Sequence, residues 1–292
     1  MLQSSYILIN GLRYHYYYDN LGKTPILLLH GLASTGRIWE KAAQHLAEHG
    51  FSLYALDIRG HGNSDQAETG YDFETISQDI AGFVQACDLN RPVVIGHSWG
   101  AMLALDYAAR LSIGPRSPSA LVLADGAFIQ MDAIPGATWE STRARLTPPR
   151  LAGTPLNEFL ERISAFNTAW QLDEQDKDII LANFMIDADE KIAPRLTFDH
   201  HMQIVEAMWK FPTYLRYKNV RCPVLALPAR PQSTGSEREI EFLQLKENGL
   251  QQIKAACPHL QVRWMEDSVH DFPLQRPERF ADWVAEFLQN NL

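Results

Sequence analysis

Residues 92–103 read PVVIGHSWGAML. The stretch is apolar and β-branched up to Ile95 and helix-compatible from Trp99 onward, so a strand gives way to a helix within a few residues. At the junction Ser98 stands between Gly96 and Gly100, in the pattern G-x-S-x-G. A turn this sharp forces the serine backbone into a strained conformation and lifts its hydroxyl above the sheet. Glycines two residues before and two after remove the Cβ atoms that would collide there. A serine that merely capped a helix would need neither glycine. The helix starting at Trp99 also aims unpaired N–H groups, and the positive end of its dipole, at any anion forming over Ser98.

The surroundings repeat this strand-to-helix alternation. SSYILIN (4–10) and LRYHYYYD (12–19) flank Asn10-Gly11, a hairpin turn signal. PILLLHG, FSLYALD, PVVIGH and SALVLAD then read as strands, mostly apolar without alternation, as parallel strands covered on both faces should be. Helical patterns lie between them at 36–49, 72–88 and 99–111. A hairpin followed by repeated βα units implies an open, mostly parallel α/β sheet.

After Asp125 the rhythm breaks, and the next strand signal is CPVLALP at 222–228. The gap is too long for a loop. Thr154-Pro155 opens a helix with apolar positions at Leu156, Phe159, Leu160, Ile163, Phe166 and Trp170; further helices are expected near Asp173 and after Thr197. The chain therefore divides into a sheet domain made of 1–126 and 217–292, with 127–216 inserted as a helical cap. The sheet resumes with 222–228, a helix over 237–256, a strand LQVRWME and a last helix from Pro277.

Composition narrows the function. The 292 residues carry 26 Lys and Arg against 35 Asp and Glu, a formal net charge of −9 with no basic cluster, which disfavours nucleic acid and anionic membranes as partners. The N-terminus lacks a basic segment followed by a long apolar one, and no stretch suits a bilayer span, so a soluble cytoplasmic protein is expected. Cys87, Cys222 and Cys257 are odd in number and widely spaced, which points to buried, reduced thiols.

Three motifs occur in order: Leu29-His30-Gly31-Leu32 after the third strand, LDIRGHGNSD at 56–65 after the fourth, and GHSWG after the fifth. In these the chain resembles the α/β-hydrolase superfamily over nearly its whole length. The resemblance implies an α/β-hydrolase fold, a Ser98 nucleophile, and an oxyanion hole formed by the backbone N–H groups of Leu32 and Trp99. It leaves Arg59 and His61 to loop architecture. A serine hydroxyl needs a base, and His270, just past the last strand in WMEDSVHDFPL, stands where the family places its catalytic histidine.

The acid is the open position. Most of the family carries it after the seventh strand, but PVLALPARPQ has no carboxylate. A minority carries it after the sixth, where LVLADGAF supplies Asp125, which is the preferred candidate. Glu237, Glu239, Asp267 or a Ser-His dyad are the alternatives. A separate match, His45-Leu-Ala-Glu48-His49, fits the inverted zinc-protease pattern H-x-x-E-H. It sits on a sheet-covering helix with no evident third ligand, so no metal is expected.

The resulting expectation is a carboxylic ester hydrolase that needs no cofactor and acts on small to medium apolar substrates under an aromatic-rich cap. Lactone, carbon–carbon or amide hydrolysis on the same triad, or a receptor with a nearly silent triad, are the competing readings. A serine nucleophile argues against the dehalogenases and epoxide hydrolases of the superfamily, which use Asp there.

Overall fold

A computed structural model describes residues 2–166, 170–232 and 236–292; the side chain of Phe166, one of the expected cap aromatics, lies outside the described residues. Its central sheet has eight strands: β1 (Gln3–Ile9), β2 (Leu12–Asp19), β3 (Thr24–Leu29), β4 (Phe51–Leu56), β5 (Val93–His97), β6 (Ala120–Ala124), β7 (Val224–Leu227) and β8 (Leu260–Val262). They run in the order β1-β2-β4-β3-β5-β6-β7-β8. β1 pairs antiparallel with β2, and β2 with β4; every pairing from β4 to β8 is parallel. Asn10 (φ 51°) and Gly11 (φ 83°) both turn left-handed, as the tight hairpin between β1 and β2 requires.

Neither face of β3, β5 or β6 is open to water, which is why these strands do not alternate. Leu27, Leu29, Val94, Leu121 and Leu123 pack to one side, against α2 (Phe73–Ala86) and α3 (Trp99–Arg110). Ile26, Leu28, Val93, Ile95 and Val122 pack to the other, against α1 (Glu40–Glu48) and the C-terminal helix Pro277–Asn291. Each such side chain, wholly removed from water, contributes roughly 1.5–3 kcal/mol of transfer free energy, so the two apolar layers fix the strand register.

Between β6 and β7 the chain leaves the sheet and forms α4 (Trp139–Leu146), α5 (Leu156–Phe166), α6 (Glu174–Leu181), α7 (Phe198–Trp209) and α8 (Thr213–Tyr217). Asp173 and Thr197 cap α6 and α7, as the sequence suggests. One expectation is corrected: the insert is not wholly helical. Thr154–Pro155 does not begin α5 but pairs with Lys191–Pro194, which also pairs with Phe184–Ile186, giving a small antiparallel sheet. The Asp187 carboxylate accepts from the N–H groups of Asp189 and Lys191, both at 2.9 Å, and Glu190 adopts φ 56°, so a local turn makes the hairpin. Strands of two to four residues are too short for alternation to be legible. The run LQVRWME is likewise split, into β8 and a separate pair of Met265–Glu266 with Ala229–Arg230.

The insert is tied to α1 and to the loop after β4. Gln66 Nε2 donates to the Arg195 carbonyl at 2.7 Å, Lys41 Nζ bridges Asp173 (2.7 Å) and Asp176 (2.6 Å), and Tyr71 stacks on His200 with its hydroxyl 3.0 Å from Nδ1. Cys222 and Cys257 are buried, Cys87 is half-buried, and all three are free thiols. Among the described residues, no helix is long and apolar enough to cross a membrane.

Candidate active site

The junction between β5 and α3 has the strain its sequence implies. Ser98 sits at φ 55°, ψ −120°, outside the regions open to a residue with a side chain at low cost. The flanking glycines are there for space: a Cβ on Gly96 would fall 2.1 Å from the Gly100 carbonyl oxygen, and one on Gly100 would fall 2.3 Å from that of Leu29. Gly126, after β6, has the same reason, since its Cβ would lie 2.1 Å from the Ser98 carbonyl oxygen. The turn holds Ser98 by its backbone, its N–H donating to the Ala124 carbonyl at 2.9 Å.

The loop after β3 abuts this turn, since a Cβ on Gly31 would meet the Ser98 Cβ at 3.2 Å. Around Leu32 the loop is pinned by Ser34 N–H to the Gly31 carbonyl and by Ala33 N–H to His61 Nε2, both 3.3 Å. Neither bond uses the Leu32 N–H. Trp99 opens α3, so its N–H has no intrahelical acceptor.

Two histidines of the family motifs are structural. His61 Nδ1 donates to the Arg59 carbonyl (3.0 Å) while Nε2 accepts from Ala33, and its ring stacks on Trp99 at 5.4 Å. His30 Nδ1 donates to the Gly31 carbonyl (2.8 Å) while Nε2 accepts from Ile58 N–H (3.0 Å). Each needs one bare and one protonated nitrogen, so each is neutral. Burial agrees: it depresses the pKa of both, well below the ordinary value for His61. The rest of the second motif winds around Asp57, whose carboxylate accepts from Gly36 N–H (2.7 Å) and Asn63 N–H (3.0 Å) and meets His15 at 2.7 Å. Arg59 is paired with Asp79 at 2.6 Å.

His270 and Asp125 come together: His270 Nδ1 lies 2.6 Å from Asp125 Oδ2. Asp125 is buried at the end of β6, at φ 45°, and its N–H extends the sheet to the Leu227 carbonyl at 3.0 Å. Burial alone would raise its pKa; the hydrogen bond and charge of His270, with Lys246, override this and hold it at about 2. Desolvation pulls His270 the other way, but its bond to Asp125 and that carboxylate's charge leave it above the ordinary histidine value. Of the alternative acids, Glu239 closes the N-terminal capping box of α9 (Glu237–Ala256) with Ser236, and Glu237 sits in the first turn of the same helix. Asp267 meets Arg276 through its carbonyl rather than its carboxylate.

Two contacts have no counterpart in the sequence reading. Lys246 of α9, only 5% exposed, donates to Asp125 Oδ1 at 2.7 Å and to the Ala229 carbonyl at 3.1 Å; the Ala229 N–H gives Oδ1 a second bond at 2.8 Å. His97, next to Ser98, donates from Nε2 to the His270 carbonyl at 2.9 Å. Lys246 lies 121 residues from Asp125 in a helix whose polar residues look solvent-facing, so only tertiary structure brings it in.

Ser98, Trp99, Asp125 and His270 line one cavity of about 580 Å³, roofed from the insert by Met131, Ile134, Leu146 and Met208. Of the aromatics of the insert among the described residues, Phe128 reaches this cavity; Trp139 packs on Trp209 and Phe159 on Phe184, holding the insert together. A second cavity of about 590 Å³ lies beyond His61, lined by Arg150, Phe184 and Arg195 among others, and contains no residue of the Ser-His-Asp group. His45 and His49 of the H-x-x-E-H match face different partners, Glu48 at 3.4 Å and Asp282 at 3.0 Å.

The sequence profile of the alpha/beta hydrolase family matches residues 26–283. The non-heme chloroperoxidase of Streptomyces lividans is 37% identical over 100 residues, 34% of this chain and 36% of its own, so the match spans about a third of that relative. Among solved structures, E-2-(acetamidomethylene)succinate hydrolase superposes with a TM-score of 0.76 at 20% identity, over 99% of this chain and all of the other. The esterase EaEST from Exiguobacterium antarcticum gives 0.70 at 20% identity, over 98% and 100%.

Proposed function

The chain belongs to the alpha/beta hydrolase family, and from that premise we propose that it is a serine hydrolase cleaving carboxylic esters of small to medium apolar substrates, with Ser98, His270 and Asp125 as its triad. The observation that carries the reading is the 2.6 Å contact of His270 Nδ1 with Asp125, beside a serine held at a strained turn on the same cavity wall. The triad is recognised by such geometry and not by sequence position.

In this reading Asp125 fixes the His270 tautomer, leaving Nε2 bare toward the cavity. Ser98 Oγ attacks the ester carbonyl carbon as Nε2 takes its proton. The Leu32 and Trp99 N–H groups receive the oxyanion, stabilised further by the N-terminal dipole of α3. Collapse breaks the bond to the alcohol, which leaves with the proton from Nε2. Water, losing a proton to Nε2, then attacks the acyl carbon; the intermediate collapses by breaking the bond to Ser98 Oγ, which takes that proton back from Nε2 as the carboxylic acid leaves. No step calls for a metal or an organic cofactor. The partner is a small ester-like molecule, and residues 127–216 act as the cap over the acyl-binding cavity.

The test is hydrolysis of p-nitrophenyl esters from acetate to decanoate, with Ser98→Ala as the blank. Serine-dependent turnover peaking at short or medium chains is expected. A folded protein that turns over no ester would overturn the reading.

A further inference from the structure

The ammonium of Lys246 is out of place for a residue of mere packing. Burying a cation costs several kcal/mol unless it is fully partnered, and an apolar side chain would fill the same space without that cost. Lys246 has its partners: Asp125 Oδ1 at 2.7 Å, the Ala229 carbonyl at 3.1 Å and the Phe242 ring at 5.0 Å, one turn earlier on α9. The helix is brought close enough by Gly249, where a Cβ would lie 1.9 Å from the Phe128 carbonyl oxygen, so α9 rests directly on the chain leaving β6. A mid-helix glycine is otherwise unfavourable.

The result divides the Asp125 carboxylate. Oδ1 is held by Lys246 and the Ala229 N–H; Oδ2 is left for His270. The strand end where most of the family carries its acid instead supplies, through Ala229, a donor to Asp125 and an acceptor to Lys246.

We propose that Lys246 is a positioning residue of the hydrolytic site: it clamps Asp125 through Oδ1, and its charge lowers the pH at which His270 becomes a free base. The inference rests on the assignment of Asp125 and His270 to hydrolysis. The titratable groups beside His270 are Asp125 from the end of β6, Lys246 from α9, His97 from the end of β5 and Asp271 of its own loop, and the shared cavity wall adds Arg145 of the insert with Glu239 and Glu241 of α9. His97 is neutral, donating from Nε2 to the His270 carbonyl with Nδ1 bare. Arg230, at the end of the β7 loop, is occupied by Glu247 (2.9 Å) and Glu266 (3.0 Å). Asp125 therefore favours the imidazolium, and Lys246 is the cation that opposes it.

The experiment is an NMR titration of the His270 imidazole in the wild-type protein and in Lys246→Gln, Lys246→Met and Lys246→Arg, alongside kcat and KM for a p-nitrophenyl ester across pH. Gln keeps a donor to Asp125 without the charge, and carries the test if Met fails to fold. Gln and Met are expected to raise the His270 midpoint by about 0.5–1 pH unit. They should lower kcat by roughly 3–30-fold with KM changed less than about 2-fold, the pattern of a lost transition-state contribution. Arg should restore the wild-type midpoint. A midpoint in Gln and Met equal to that of the wild type, even with a lower melting temperature, would overturn the proposal. The NMR titration needs no turnover, so failure of the esterase reading, seen as no difference from Ser98→Ala, is distinct from failure of this one.

Discussion

His97 Nε2 donates to the backbone carbonyl of His270 across 2.9 Å, joining the residue before the serine to the loop that carries His270, the proposed base. The two rings lie 4.7 Å apart, and His97 is 2% exposed. Burial, then the charge of His270, push the His97 pKa down to about 4, so it stays neutral and its Nε2–H is always available.

Replacing His97 with Ala should leave the His270 carbonyl without its donor and loosen the base. An unmade buried hydrogen bond costs about 1–3 kcal/mol, visible as a lower melting temperature. Turnover should fall by roughly 10-fold or more, because misplacement of a catalytic group is expensive, while His97→Gln, whose amide can donate again, should recover part of it. A His97→Ala enzyme with wild-type kcat would remove this anchor from the account.

Asp125→Asn is expected to lower kcat by about 10³–10⁴-fold, the scale seen when a triad acid is neutralised. It also leaves Lys246 buried without a counter-charge, at a cost of roughly 3–5 kcal/mol. Melting curves should separate the two effects: the double variant Asp125→Asn with Lys246→Met should regain stability but not activity. Near-normal turnover in Asp125→Asn would exclude it from the triad.

Activity and stability should respond to pH with different signs. Because His270 is raised, kcat/KM should climb through a midpoint above the ordinary value of about 6.5; a flat profile would count against His270 as base. For stability, His30, His61 and His97 are held neutral when folded but take up a proton below about 6.5 when unfolded. The unfolded chain therefore binds more protons from about 6.5 downward, until for His97 the folded value of about 4 is passed, and stability rises with pH across that window. His270 has the opposite sign: its contribution is full below about 6.5 and is lost as pH rises through its folded value. Asp125 matters only in stronger acid, its contribution being full above about 3.9 and lost toward about 2. His200 and His201 are lowered by burial as well, so five histidines stand against one, and the melting temperature should fall steadily from pH 7 to pH 4 in calorimetry.

Met208 reaches the cavity from α7 and is 8% exposed. Met208→Ala should lengthen the acyl chain that fits best, moving the optimum of the p-nitrophenyl series by one or two carbons, with about 2–5 kcal/mol lost in stability. An unchanged optimum would place the acyl chain elsewhere.

The sheet was legible because its strands are buried on both faces and carry continuous apolar runs. The serine turn was legible because glycines at two fixed positions report a backbone clash. Asp125 could be named only through the family resemblance, whose minority pattern places the acid after the sixth strand when the seventh-strand position is empty. The hairpin over Phe184–Ile186 and Lys191–Pro194 left no trace, since three or four residues cannot display a period. Lys246 and His97 were invisible as site residues for another reason: a lysine in a long helix and a histidine inside a strand end look like surface and filler until the fold sets their neighbours.

The most direct test is covalent labelling of the folded protein with a serine-directed fluorophosphonate, followed by intact-mass measurement and mapping of the adduct. The account predicts one adduct, on Ser98, forming faster as pH rises through the His270 titration, absent in Ser98→Ala and slow in Asp125→Asn. No adduct, or an adduct that forms equally fast in Ser98→Ala, would contradict it.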